Sequence, residues 1–344
     1  MEQDINIQER QPKDYKSINA VRWCPGCGDH AILNCLYKAM AELNIEQENT
    51  VVISGIGCSS RLVYYMNAYG MHTIHGRPIA IATGVKVANP DLSVWVATGD
   101  GDSLSIGGNH FIHAIRRNVN INIILFNNKI YGLTKGQYSP TSDRGFVSKS
   151  SPYGTVEDPF HPAELCFGAR GTFFARSIDV DLKNQTDLMV ESAKHKGTSI
   201  LEVLQNCVIF NNGIYKKYSE KEFRDDKTIF LKHGEKMIFG KDKNKGLVLD
   251  GWNLKAVTIG EDGYSMDDVL VHDAASMDNT LQMKLALMGT DSDELPLALG
   301  VIRNVAAPVY DEEVAKQITE VQEKLPKKSF TEFLMSSSNL WEKK

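Results

Sequence analysis

Five short apolar runs recur between residues 51 and 204, and four of them break off into glycines or polar turn residues. They are Val51-Val52-Ile53, Leu92 to Thr98, Ile121 to Phe126, Gly171 to Arg176 and Ser199 to Leu204. Their apolar residues are continuous instead of alternating, as in strands buried on both faces of a parallel sheet. Residues 106–117, 161–169 and 185–196, between the strands, read as helices. Ahead of them, residues 28–44 set Ile32, Cys35, Leu36, Ala39, Met40 and Leu43 on one helical face. The order predicts an α/β fold: a mostly parallel sheet flanked by helices. In such sheets ligands bind beyond the carboxyl ends of the strands. There the first run meets SGIGCSSR (54–61), the second GDGD (99–102), the third NNKIYG (127–132) and the last QNC (205–207).

After about residue 210 the character changes. A charged stretch leads into short, turn-rich segments, and a helix is expected around 311–324. The chain thus divides into a binding domain over 1–215 and a smaller, irregular carboxy-terminal region over 216–344, suited to subunit contact. There are no repeats or low-complexity tracts. The 38 basic and 43 acidic residues give a net charge of -5, with no basic run to suit nucleic acid. No apolar run approaches the ~18 residues of a membrane span, and the polar start MEQDINIQER is unlike a secretory leader. Six cysteines in 344 residues are too few for a disulfide scaffold, so a cytoplasmic protein is expected.

The second and third loops carry the chemistry. Asp100, within Gly99-Asp100-Gly101, and Asn128 offer a carboxylate and an amide oxygen from neighbouring strands, a donor pair suited to Mg²⁺. Glycines beside them let backbone approach a diphosphate. A GDG followed 25–30 residues later by Asn is the pattern of thiamine-diphosphate enzymes. Taken singly, these dipeptides read as tight turns; in sequence with their strands they read as a cofactor site. Cys24, Cys27, Cys58 and Cys207 fall at loop ends on the same edge, whereas Cys35 and Cys166 fall within helices as small core residues. Four thiolates suit Zn²⁺ or a [4Fe-4S] cluster alike. A redox dithiol at Cys24-Pro25-Gly26-Cys27 would need a preceding strand, which DYKSINAVR does not resemble. His110 and His113 suit helix packing better than metal binding, and Arg116 and Arg117 suit a solvated helix end.

Taken together, WCPGCGDHAIL (23–33), SGIGCSSR (54–61), the stretch from HGRPIAIATG to HAIRRN (75–118) and FNNKIYGLTKGQYSPTS (126–142) resemble the beta subunits of 2-oxoacid:ferredoxin oxidoreductases, most of all those acting on 2-oxoglutarate. Cys207 follows in VLQNC, and LPLALGVIRNVAAP (295–308) is a weaker echo. The resemblance implies the thiamine-diphosphate-binding fold, with the cofactor's diphosphate half and the cluster both held by residues 1–215. It implies a [4Fe-4S] cluster on Cys24, Cys27, Cys58 and Cys207. It also implies Mg²⁺ on Asp100, Asn128 and the carbonyl of Ile130. His75, Gly99, Asp100, Gly101, Asp102, Gly132 and Thr134 would line the diphosphate and thiazolium. Ile56, Gly57 and Cys58 would bring the cluster loop to the cofactor. Leu133 would lie beside the substrate, and Arg61 and Lys135 are candidates for its distal anionic group or for CoA. Lys135 departs from the glycine of many relatives, especially pyruvate-type ones, which favours 2-oxoglutarate or a broad-range enzyme. The implied activity is CoA-dependent oxidative decarboxylation of a 2-oxo acid to acyl-CoA and CO₂, or its reverse, with electrons passing to ferredoxin. Because the chain has no second βαβ series for the pyrimidine half, an alpha (or fused gamma-alpha) subunit is expected to supply it. The alternative is a non-redox thiamine-diphosphate lyase with structural zinc.

Overall fold

In the computed structural model residues 9–290, 294–325, 328–336 and 341 are described. Helix α1 (Asp29–Leu43) forms where the apolar stripe predicts it. Ile32, Leu36, Ala39 and Met40 are fully buried, and the helix stops at Asn44 in a left-handed cap (φ 50°). The main sheet is built from β1 (Thr50–Ser54), β2 (Tyr69–His72), β3 (Ser93–Gly99), β4 (Asn122–Asn127), β5 (Phe173–Ile178) and β6 (Ser199–Leu204). These strands are all parallel, in the order β2-β1-β3-β4-β6-β5.

Continuous apolar runs become two separate cores because successive side chains point to opposite faces. Val94, Val96 and Ile123 join one core, beneath α2 (Pro78–Ala88), α4 (Gly108–Arg117) and α5 (Pro162–Gly168). Trp95, Ala97, Ile124 and Phe126 join the other, beneath α1 and α6 (Leu182–Lys194). The short helix α3 (Asp100–Leu104) starts directly at the end of β3. Arg116 and Arg117 stand exposed in the last turn of α4.

The irregularity expected of residues 216–344 needs correction. Beyond β7 (Thr228–Leu231), strands β8 (Ile238–Phe239), β9 (Lys245–Asp250) and β10 (Asn253–Thr258) form a separate antiparallel sheet. The long strand β11 (Leu297–Asn304) then enters the main sheet antiparallel to β5, and β7 pairs with its far side. Their direction hides them from a reading tuned to βαβ units: β11 reverses against β5 and kinks at Gly300 (φ 93°). The helix expected around 311–324 is present at Tyr310–Lys324. Among the described residues no helix is long and apolar enough to cross a membrane.

One ionic pair sits inside the sheet. Arg176 on β5 donates through Nε to Glu202 Oε2 on β6 at 2.7 Å and through Nη1 to the Ala286 carbonyl at 3.0 Å. Both residues are 2 % exposed. Removing one partner leaves an uncompensated buried charge, at a cost of about 3–5 kcal/mol. Arg176→Met is therefore expected to lower the unfolding free energy by that amount in urea titrations. Arg176→Met with Glu202→Leu should recover most of it; a double variant as weak as the single would show that the charge left behind is not the cause.

Candidate active site

The carboxyl ends of β1, β3 and β4 enclose a cleft of about 480 Å³. The first loop brings Ile56, Gly57 and Cys58 to it, the second Gly99 to Asp102, and the third Asn128, Ile130, Gly132, Leu133 and Thr134; His75 enters from the loop before α2. Ser59, Phe126, Tyr131 and Gln137, which lie in the quoted stretches but were not expected as site residues, line it as well. Glycine is required at two of these turns by close approach. A Cβ on Gly55 would stand 1.8 Å from Asp102 Oδ2, and one on Gly101 would stand 2.2 Å from the Tyr131 ring. That ring is held over the loop by its hydroxyl, which donates to the Gly101 carbonyl at 3.0 Å. It was not legible because only the fold brings residue 131 over residue 101.

The two aspartates of GDGD play different parts. Asp100 is 2 % exposed, and its Oδ2 accepts from the hydroxyls of Ser139 (2.6 Å) and Thr141 (2.5 Å). Burial pushes its carboxyl above the ordinary range, and those two hydroxyls pull it partly back. Backbone N–H groups of the GDGD turn lower it further. Asp102 is spent on the protein itself: Oδ1 accepts from Gly76 N (2.7 Å), Ile56 N (3.1 Å) and His75 Nδ1 (2.7 Å), and Oδ2 accepts from Thr98 Oγ1 (2.8 Å). Its side chain thus ties the first two loops together at the edge of the cleft it helps to line. With Nδ1 taken, Nε2 is the ring atom of His75 available to a ligand.

Asn128 donates through Nδ2 to Gln205 Oε1 at 2.8 Å, and its Oδ1 accepts from Ile130 N at 3.1 Å. Asn128 and Ile130 line the same cleft as Asp100. Among the described residues no three His, Cys, Asp or Glu side chains are placed to hold a metal ion. One carboxylate with an amide and a carbonyl is instead the donor set of Mg²⁺ shared with a ligand's phosphates. The residues fit thiamine diphosphate with Mg²⁺.

The thiols gather at the cleft's inner end. A Cβ on Gly132 would lie 3.6 Å from the sulfurs of both Cys58 and Cys207. The Cys58 thiol is pushed up to about 12 by burial, then by the nearby charges of Asp29, Cys207 and Cys24. Burial likewise raises Cys27, reinforced by Asp29, Cys207 and Cys58. Asp29 itself, 1 % exposed, is pushed up to about 7 by burial. These mutual interactions place Cys24, Cys27, Cys58 and Cys207 in one group. Cys27 and Cys58, so raised, become ligands only when a cationic centre displaces their protons. Four thiolates can ligate either a Zn²⁺ ion or a four-iron cluster. The Trp23 indole donates to the Cys58 carbonyl at 2.7 Å and pins that loop. Among the described residues no strand precedes Cys24, which argues against the dithiol. Cys35 and Cys166 are buried in α1 and α5.

Three expected residues stand apart from this arrangement, or at its rim. Arg61 and Lys135 do not line the cleft. Arg61 donates through Nε to the Tyr65 hydroxyl at 3.2 Å, and Lys135 is exposed in a turn at φ 77°. Glycine adopts that backbone freely, whereas a lysine there costs roughly 1–2 kcal/mol. Leu133 lines the cleft and is half exposed. His110 accepts from Arg77 Nη1 at 2.9 Å.

Residues 55–203 match the family model of the thiamine pyrophosphate enzyme C-terminal TPP-binding domain. The chain is 45% identical over 319 residues to the 2-oxoglutarate oxidoreductase subunit KorB of Mycobacterium tuberculosis, covering 93% of this chain and 84% of that one. It is 45% identical over 208 residues to subunit beta of 2-oxoacid:ferredoxin oxidoreductase 2 of Aeropyrum pernix, covering 60% and 67%. In three dimensions it resembles a 2-oxoglutarate:ferredoxin oxidoreductase from Magnetococcus marinus solved with 2-oxoglutarate, coenzyme A and succinyl-CoA bound. There the TM-score is 0.76 and the identity 34%, over 97% of this chain and 98% of that one. A cofactor cleft and four thiols on one sheet edge, together with relatives matched over nearly the whole chain, make it a member of the beta-subunit family of the 2-oxoacid:ferredoxin oxidoreductases.

Proposed function

We propose that this chain carries thiamine diphosphate, Mg²⁺ and a [4Fe-4S] cluster in an enzyme that converts 2-oxoglutarate and CoA to succinyl-CoA and CO₂, passing two electrons to ferredoxin. The observation that carries this reading is the position of Gly132. It lines the cleft beside Leu133 and Thr134, and it also lies against the sulfurs of Cys58 and Cys207. A cofactor in the cleft and a cluster on those thiols would be separated by a single turn of backbone.

When bound, the thiazolium of thiamine diphosphate serves as the electron sink for cleavage of the bond to the carboxyl carbon. The chain's own residues position and shield it. Asp100, Asn128 Oδ1 and the Ile130 carbonyl would hold the cation on the diphosphate. The Gly99–Asp102 turn would let backbone reach the phosphates, and the Tyr131 ring closes the floor above Gly101. Cys24, Cys27, Cys58 and Cys207 would ligate the iron. Exposed apolar side chains at and beside the cleft mouth, such as Ile74 (68 %), Ile106 (53 %) and Leu133 (51 %), suit burial against a partner. We assign that face to the alpha, or fused gamma-alpha, subunit with its pyrimidine half. Because Arg61 and Lys135 stay outside the cleft, recognition of the substrate's distal carboxylate and of CoA falls largely to that subunit. The six unpaired thiols and the cluster suit the cytoplasm.

The test is metal and sulfide analysis of the anaerobically purified complex with its alpha subunit, alongside ferredoxin reduction. About four iron and four acid-labile sulfides per chain are expected, with ferredoxin reduced only when 2-oxoglutarate and CoA are both present. Zinc without sulfide would overturn the redox reading and leave a lyase.

A further inference from the structure

Gln205 follows the last residue of β6 and is completely buried. Its side-chain amide makes contacts on two sides. Oε1 accepts from Asn128 Nδ2 at 2.8 Å, and Nε2 donates to Cys27 Sγ at 3.3 Å and to the Asn206 carbonyl at 2.6 Å. The orientation of the amide is fixed by these neighbours. Reversed, it would set its oxygen against the Asn206 carbonyl and its NH₂ against that of Asn128. One rigid amide therefore spans from a cation-holding residue to a cluster-holding one.

We infer that Gln205 is a positioning residue shared by both centres, turning the Asn128 oxygen toward the cation and donating an N–H to the sulfur of Cys27. This rests on the function proposed above. On the cofactor side, the Asn128 amide has two ends of opposite polarity. Only the oxygen end attracts a cation, and the bond from Nδ2 to Gln205 keeps the NH₂ end turned away. On the cluster side, a thiolate that accepts an N–H carries less net negative charge. Reduction adds negative charge to the cluster, so such a bond favours the reduced form and raises the potential. Among the described residues, no other side chain bonds directly to both groups of residues.

The experiment uses the anaerobic complex with its alpha subunit and two variants that divide the amide's tasks. Gln205→Leu removes both bonds. The cluster's midpoint potential, read by an EPR-monitored redox titration, should move to a more negative value. The Mg²⁺ needed for half-saturation with thiamine diphosphate should rise by about tenfold or more, as for other residues that orient metal ligands. Gln205→Glu keeps an oxygen for Asn128 but loses the donor to Cys27. Its potential should also fall, while its Mg²⁺ requirement stays within a few-fold of the parent. A purely structural role would lower the melting temperature and leave both readouts unchanged in enzyme of normal iron content; that result overturns the inference. If Gln205→Leu fails to assemble, Gln205→Glu decides, and an unaltered potential in it overturns the cluster half. Failure of the underlying reading looks different: parent enzyme without iron, or Asp100→Ala with an unaltered Mg²⁺ requirement.

Discussion

Asp100→Ala is expected to abolish turnover of the assembled enzyme while leaving iron and sulfide near their normal content. Its carboxylate is the anionic donor of the proposed cation site, and Ser139 and Thr141 already occupy one of its oxygens. Without it the cation would depend on one amide and one carbonyl, which are neutral donors. A bound metal contributes several kcal/mol of charge stabilisation, so a loss of at least about 10³-fold in kcat/KM is expected at ordinary Mg²⁺ concentrations. The cluster should survive, because Asp100 makes no hydrogen bond to the cysteine loops among the described residues. Retained turnover would show that the diphosphate is held elsewhere.

Cys207→Ala should produce the opposite pattern. Cys207 lies with Cys58 against Gly132, and removing one corner ligand leaves an iron open to solvent and oxidation. Iron content should fall toward zero and ferredoxin reduction with it, to below about one part in 10³ of the parent rate, which is the loss expected when an obligatory electron path is cut. Binding of thiamine diphosphate with Mg²⁺ should stay within about tenfold, the limit set by the Gln205 link between the two centres. The substitution buries no charge and opens only a small space, so melting of the apoprotein should hardly move. If each variant lost both properties equally, the two centres would form a single unit in which neither is separable.

The parts of this protein legible in its sequence are those that local chemistry determines. The strands β1, β3, β4 and β6 announce themselves by apolar runs that end in turns, and a parallel sheet then sends their loops to one edge. Gly55 and Gly101 were legible as glycines in loops, yet their reason is tertiary, since the atoms that exclude a Cβ belong to Asp102 and Tyr131. Asp100 and Asp102 look alike in GDGD. Only the fold shows one loaded by two hydroxyls, the other consumed by the loops around it. Ser139, Thr141 and Gln205 stood inside quoted stretches, yet none carried a signal of its own. They lie 39, 41 and 77 residues from the partners they hold, and a hydroxyl or an amide in a loop is ordinary. Strand β11 was missed for a similar reason: its place in the sheet is set by β5 and β7, not by its neighbours in the chain.

The late arrival of β11 has a consequence for how the protein is made. Strand β5 presents Phe173, Phe174 and Ala175, all buried in the finished sheet, and one of its two flanks is closed only by β11, about 120 residues further on. At ribosomal speed that interval is on the order of 10 s. Every residue lining the cofactor cleft precedes residue 138 and has already left the ribosome by then. During that wait the nascent chain carries an apolar strand with an open hydrogen-bonding edge, a template for pairing with another copy. Truncation ahead of residue 297 would fix the chain in that condition, with the cleft residues all present and the sheet unable to close.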